Sequence, residues 1–271
     1  MRWFDAEEHQ PFHLEAGTAG ALLIHGFMGT PAEMRPLGHA LAEAGISAYG
    51  VLLPGFGPDI ERLEAMRARD WLQTAAGAWE DVRATHSPAT LIGFSMGGAV
   101  ALHLAAENPP DRLVLLAPLW RLLSGDWRVH LLPLARFVMR PMRPFEAADF
   151  ENPEVRAFFA EALPGIDLDD PAVQHALRNE VRLSPVTLDE LRRVASGAGR
   201  AAERVTAPAL VIQGTDDRTV LPADTRQLAA RLGGSTALRE VPAGHQIVRP
   251  EEKAWPTVRD LVVRFALGGA P

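Results

Sequence analysis

The chain has 271 residues, 47% hydrophobic and 23% charged, with 34 acidic against 27 basic side chains and a formal net charge of −7. That length and apolar share suit one large α/β domain or two small ones, and so mild an acidity gives no footprint for nucleic acid or anionic lipid. The absence of cysteine excludes disulfides, thiolate metal sites and a cysteine nucleophile, and Lys253, the single lysine, leaves little room for Schiff-base chemistry.

The first residues carry no apolar segment behind a positive charge, and no apolar run reaches membrane-spanning length. A cytoplasmic protein without a membrane span is the expectation. Residues 13–16 are read as an edge strand. Residues 21–25, apolar and closed by Gly26, suit a buried parallel strand. Thr30-Pro31-Ala32-Glu33 then reads as a capping box, with Thr30 taking an orphan N–H, Pro31 at the first helical position and Glu33 reaching back. That helix should stop at Gly45. A strand over 47–53 ends in Pro54-Gly55, and Asp70 is expected to cap a helix that buries Trp71, Ala75, Ala78, Trp79 and Val82 on one face.

Further strands are predicted at 90–93, 113–117, 209–213 and 237–241, with a small-residue helix from Gly97 to about Glu107. This alternation argues for an α/β fold with a mainly parallel sheet and helices on both faces. Between Pro118 and Arg204 no convincing strand appears, only proline-punctuated helical pieces. The predicted organisation is therefore a core from 1–118 and 205–271, with a helical cap over 119–204.

Gly93-Phe94-Ser95-Met96-Gly97 fits G-x-S-x-G in its required setting, strand before and helix after. A serine on so sharp a turn is strained, glycines on either side relieve the crowding, and its Oγ stands clear near a helix N-terminus. The alternative is an incidental serine in a glycine-rich turn. A serine nucleophile also needs a base and an orienter. His245, in Pro242-Ala243-Gly244-His245 past the last strand, is the preferred base among nine histidines; His39, His86, His103, His130 and His175 fall on helices or in the insertion. After the strand at 209–213 come two aspartates, of which Asp217 is the first choice as orienter and Asp216 is assigned to bracing the loop. The order Ser95, Asp217, His245 is neither the chymotrypsin nor the subtilisin one. For an oxyanion hole, Met96 N–H is available by position and Phe27 N–H, in His25-Gly26-Phe27-Met28-Gly29, is the natural second donor. His25 is read as a brace for that loop.

Leu22-Leu23-Ile24-His25-Gly26-Phe27-Met28-Gly29-Thr30-Pro31, Leu53-Pro54-Gly55, Gly93 to Gly98 and Gly244-His245 occur in order. In these landmarks the chain resembles the bacterial carboxylesterase and monoacylglycerol lipase branch of the α/β-hydrolase superfamily. Phe56 departs from the pattern, since relatives often carry histidine after Leu-Pro-Gly. The resemblance implies a serine carboxylic ester hydrolase acting through an acyl-enzyme, with no metal and no cofactor. No H-E-x-x-H, P-loop or dinucleotide fingerprint competes with it.

Substrate-binding walls are expected from Phe27, Met96, Trp120 and Trp127, with apolar groups of the insertion such as Phe145 and Phe159. Apolar walls favour short- to medium-chain acyl esters, including monoacylglycerols. A small apolar ester is thus the expected partner, and the oligomeric state is unreadable. A thioesterase, a carbon–carbon bond hydrolase or a non-catalytic binding protein of the same fold are the alternatives.

Overall fold

Leu22-Leu23-Ile24 has no polar side to offer water, so a strand made of it must be covered on both faces. In the computed structural model, which describes residues 4, 6–122, 131–133, 143, 145–153, 155–156, 159, 167–179, 182 and 184–270, that is its position. Seven strands form one sheet: β1 (Phe12–Leu14), β2 (Ala19–Ile24), β3 (Ile46–Val51), β4 (Ala89–Phe94), β5 (Arg112–Leu116), β6 (Ala209–Gly214) and β7 (Thr236–Val241). Their order is β1-β3-β2-β4-β5-β6-β7, and every pairing is parallel except β1 on β3.

Side chains alternate across this sheet into two apolar layers. Leu22, Ile24 and Leu91 point into one, and Ala21, Leu23 and Ile92 into the other. The first layer is closed by α2 (Ala68–Thr85) and α3 (Met96–Glu107), through Trp71, Trp79 and Val100. The second is closed by α1 (Pro31–Glu43), through Met34 and Leu37, and by α7 (Trp255–Ala266), through Val258, Val262 and Phe265; α7 is the last helix of the chain. Among the described residues three further helices intervene: α4 (Pro171–Asn179), α5 (Pro185–Ala201) and α6 (Pro222–Ala229).

Among the described residues of 118–204, none joins the sheet. The C-terminal helix of this interval, α5, packs against α3 and contributes Leu191, Val194, Ala195 and Ala198 to the first layer. Its small residues make that approach possible, since a Cβ on Gly197 would run into the His103 ring of α3, and one on Gly199 into the Trp120 ring. Glu190 of α5 also accepts the Ala68 N–H at 3.1 Å, closing the N-terminus of α2. A separate cluster of Phe150, Phe159, Leu168 and Leu177 lies in the same interval, and Met28 packs against it.

Two expectations about helix starts need correction. Thr30 does accept the Ala32 N–H, at 3.3 Å, but Glu33 does not close the box; its carboxylate takes the Gly26 N–H instead. Helix α2 begins two residues before Asp70, which sits in the first turn and accepts the Arg67 N–H at 2.8 Å. Local pairing rules identified both side chains as helix-start groups and missed where their partners lie.

The chain runs from β2 outward to β3 on one side and from β4 outward to β5 on the other, so the strand order reverses between β2 and β4. Ligand sites of open α/β sheets form at the carboxyl ends of strands flanking such a switch point. There Ile24 pairs with Gly93, which brings the segments 25–29 and 95–97 together. At the margins, β1 has three residues, and β7 leaves Arg239 and Glu240 exposed, with Glu240 paired to Arg226 at 2.8 Å. No helix among the described residues is long and apolar enough to cross a membrane.

Trp79 is 1% exposed and its indole N–H donates to the Asn108 carbonyl at 2.9 Å. Trp79→Ala should cost about 3–5 kcal/mol through the cavity and the orphaned carbonyl. Urea denaturation measures this, with Glu80→Ala on the exposed face as the neutral control. A cost under about 1 kcal/mol would refute the packing described.

Candidate active site

Ser95 has φ 52° and ψ −116°, a conformation that an L-residue holds only when its surroundings enforce it, at about 1–3 kcal/mol. The enforcement is visible. The Ser95 N–H donates to the Leu116 carbonyl at 2.9 Å, and the Ser95 carbonyl accepts from Gly98 and Leu119, each at 3.0 Å. A Cβ on Gly93 would strike the Gly97 backbone, and one on Gly97 would strike the carbonyls of Ile24 and His25. Only glycine fits at either place, so β4, α3 and β2 meet backbone to backbone and the serine is thrust outward.

His245 meets it from the loop after β7. Its Nε2 lies 3.0 Å from Ser95 Oγ, and its Nδ1 lies 2.7 Å from Asp217 Oδ2. All three side chains are at most 7% exposed. Every acceptor direction of Asp217 is used: Oδ2 also takes the Gln213 amide at 2.9 Å, and Oδ1 takes the N–H groups of Thr219 and Val220, both at 2.8 Å. Burial works to raise this carboxyl, but the hydrogen bond and charge of His245, with Val220 and Gln213, outweigh it and hold the group below the usual aspartate range. Asp216 is exposed and takes a long bond, 3.4 Å, from Thr215.

Across from Ser95, the segment 25–29 is fixed from both ends. His25 is fully buried; its Nε2 accepts the Leu53 N–H at 3.1 Å, so its Nδ1 carries the proton and donates to the Gly26 carbonyl at 2.8 Å. Burial pushes its pKa down to about 4, against the pull of the Gly26 bond, so the ring stays neutral. Phe27 and Met28 are half-buried, and the fully buried Phe56 meets both the His25 and Phe27 rings edge-on. Among the described residues the N–H groups of Phe27 and Met96 have no hydrogen-bond partner. Two such donors beside an activated hydroxyl can receive a developing oxyanion.

Ser95, His245, Asp217, Phe27 and Met96 are thus gathered at the switch point. Trp120 is buried in the first apolar layer; its N–H donates to the Asp224 carbonyl at 2.9 Å, and the guanidinium of Arg121 stands 4.0 Å from its ring centroid. Those contacts make it a packing residue joining the chain after β5 to α6. Trp127 lies outside the described residues. In sequence Met28 is no more than part of the loop, yet it touches both the core and the cluster at Phe150 and Phe159. Gln213 and Thr225 were also missed. Gln213 read as an ordinary strand residue, but its amide serves Asp217 while its Oε1 is held by the Thr225 hydroxyl at 2.6 Å. Among the described residues no group of histidine and carboxylate side chains could hold a metal ion.

A protein-family model described as serine aminopeptidase, S33, matches residues 18–249. A thermostable monoacylglycerol lipase of Bacillus sp. (strain H-257) is 37% identical over 100 residues, 37% of this chain and 40% of that protein. A carboxylesterase of Bacillus subtilis (strain 168) is 30% identical over 112 residues, 41% of this chain and 46% of its own length. The chain therefore spans less than half the length of these two relatives. A solved structure from work on LipS and LipT, two metagenome-derived lipolytic enzymes, superposes over 96% of this chain and 98% of its own with a TM-score of 0.72, at 24% identity. That likeness is one of fold.

Because the Asp217 carboxyl is held low, its ionised form adds stability above about pH 4 that is lost as the pH falls through the folded-state value. Asp217→Asn should lower stability at pH 7 by about 1–3 kcal/mol, since its amide meets the Gln213 donor. The deficit should hold from pH 7 down to about pH 4 and narrow below it, as urea midpoints across pH will report. A deficit independent of pH would contradict this account.

Proposed function

The chain belongs to the family described as serine aminopeptidase, S33, with the α/β-hydrolase fold, and on that premise we propose that it is a serine hydrolase of carboxylic esters. The observation that carries this is the Ser95–His245–Asp217 chain of short hydrogen bonds, opened toward two unpaired N–H groups. The lipase and carboxylesterase relatives support an ester as the bond attacked. In this reading Ser95 Oγ attacks the acyl carbon as its proton passes to His245 Nε2. Asp217 holds the ring in the tautomer that can receive the proton and stabilises the imidazolium. Phe27 and Met96 N–H groups take the oxyanion. Collapse of the tetrahedral species transfers the proton to the leaving alcohol. Water, activated by the same imidazole, then releases the acid and restores Ser95.

The acyl group meets the half-buried Phe27 and Met28, an apolar lining that favours short- to medium-chain acyl esters. The Met96 side chain, expected as a wall, is instead 0% exposed in the first apolar layer and leaves only its N–H for the site. Each buried CH₂ contributes about 0.8 kcal/mol. Thioesters pass through the same acyl-enzyme, and the leaving group is where they differ.

Ser95→Ala should lose p-nitrophenyl ester turnover by about 10⁴-fold or more and abolish labelling by a fluorophosphonate. Near-normal turnover by that variant would refute the assignment. Asp217→Asn should lose most of the rate while Asp216→Asn keeps it. Across straight-chain p-nitrophenyl esters, kcat/KM should rise from acetate, peak at about C4 to C12, and fall. A flat profile, or faster cleavage of matched acyl thioesters or aminoacyl anilides, would overturn the substrate class.

A further inference from the structure

Seven residues past Gly26, helix α1 turns a carboxylate back under the loop it has just left. Glu33 Oε2 accepts the Gly26 N–H at 2.9 Å. The loop is wrapped tightly over that group, because a Cβ on Gly29 would collide with the Glu33 carboxylate. Gly26 is therefore gripped at both ends, its N–H by Glu33 and its carbonyl by His25. The carbonyl of Gly26 and the N–H of Phe27 share one planar trans peptide, so fixing the carbonyl aims the N–H the opposite way. That Gly26–Phe27 peptide is held through its carbonyl by His25 and by the Gly29 N–H at 3.2 Å, while Glu33 holds the preceding His25–Gly26 peptide. Gly26 is thus pinned on both sides, and the three together set the direction of the donor assigned to the oxyanion.

Glu33 also brings a charge. The groups able to carry positive charge that act on it are Arg249 and, once protonated, His245, both on the loop after β7. On its own helix, Arg35 is turned away to the carbonyls of Glu7, Glu8 and Gln10, and His25 beside Gly26 is neutral. Burial is the largest influence on the Glu33 carboxyl and pushes it up to about 7, against the Gly26 bond, protonated His245 and Arg249. A carboxyl so placed costs the fold stability when ionised.

Resting on the ester-hydrolase reading above, we propose that Glu33 is a positioning residue of this site, its carboxylate fixing the Gly26 peptide and, as an anion, favouring the imidazolium that His245 becomes during acylation. The two halves separate by substitution. Glu33→Gln keeps an oxygen for the Gly26 N–H and removes the charge, while Glu33→Ala removes both.

The test uses the full chain, with p-nitrophenyl butyrate kinetics and urea midpoints from pH 4 to 9. For Glu33→Gln, kcat should fall about 3- to 30-fold with KM within about twofold, and the acid limb of kcat/KM should move to lower pH. Its stability should move the other way. With a raised carboxyl, the folded protein binds a proton between about pH 4.5 and 7 that the unfolded chain has released, so wild-type stability falls as pH rises through that window. Glu33→Gln should therefore match the wild type near pH 4 and be the more stable protein at pH 8. Glu33→Ala should lose a further factor of about 10 in kcat through the freed loop. A Glu33→Gln protein with wild-type kcat and acid limb, or one less stable than wild type at pH 8, overturns the role of the charge. Equal kcat for the two variants overturns the brace. A wild type that neither labels with fluorophosphonate nor turns over any ester fails the ester-hydrolase reading itself, and the positioning role falls with it.

Discussion

A serine whose φ is positive, wedged between the end of one strand and the start of a helix, is the constraint around which this molecule is arranged. Its conformation is unfavourable on its own and persists because three backbones converge on it with no room for side chains at Gly93 and Gly97. Close approach of α3 to β2 and β4 follows from that, and so does the run of small residues along α3 that lets α5 pack on its other side. The strain is supported by both apolar layers, so the hydroxyl can be presented without the turn relaxing.

Around that point the polar groups are satisfied with little freedom left. Thr225 orients the Gln213 amide, Gln213 and two backbone N–H groups fix Asp217, and Asp217 fixes His245. On the other side Leu53 fixes the tautomer of His25, which in turn fixes Gly26. Buried networks of this kind specify one arrangement because any partly bonded alternative leaves a desolvated donor or acceptor. Preorganisation here is made from hydrogen bonds between elements distant in sequence.

How much of this could be read from the residues depends on distance along the chain. Strands such as β2 and β4 were legible because continuous apolar runs bounded by glycine have few other uses, and the turn at Ser95 because its glycines are two residues away on each side. The preference for Asp217 over Asp216 rested on turn position, and Asp217 is the one within reach of His245. Glu33 was identified as a polar group at a helix start, but its true partner is the Gly26 N–H, reached only once the loop folds over the helix. Gln213 was hidden for the same reason, since its partners come from a loop and from α6. Trp120 had the composition of a pocket wall, and what turned it into the core was the Asp224 carbonyl on a helix about a hundred residues later. Contacts across such separations leave no periodic trace.

The two margins of the sheet carry a consequence of another kind. A strand with its outer N–H and C=O groups bare is a template on which a neighbouring molecule can add its own strand. Here one margin is a three-residue antiparallel strand, too short to nucleate a lasting intermolecular ladder, and the other displays Arg239 and Glu240 near its end. An incoming apolar strand at that second margin would have to desolvate charges, one of them already committed to Arg226. Open parallel sheets form slowly and leave their margins uncovered while they do so. Guarded margins thus matter most before the fold is complete, when crowded, half-formed copies would otherwise join edge to edge.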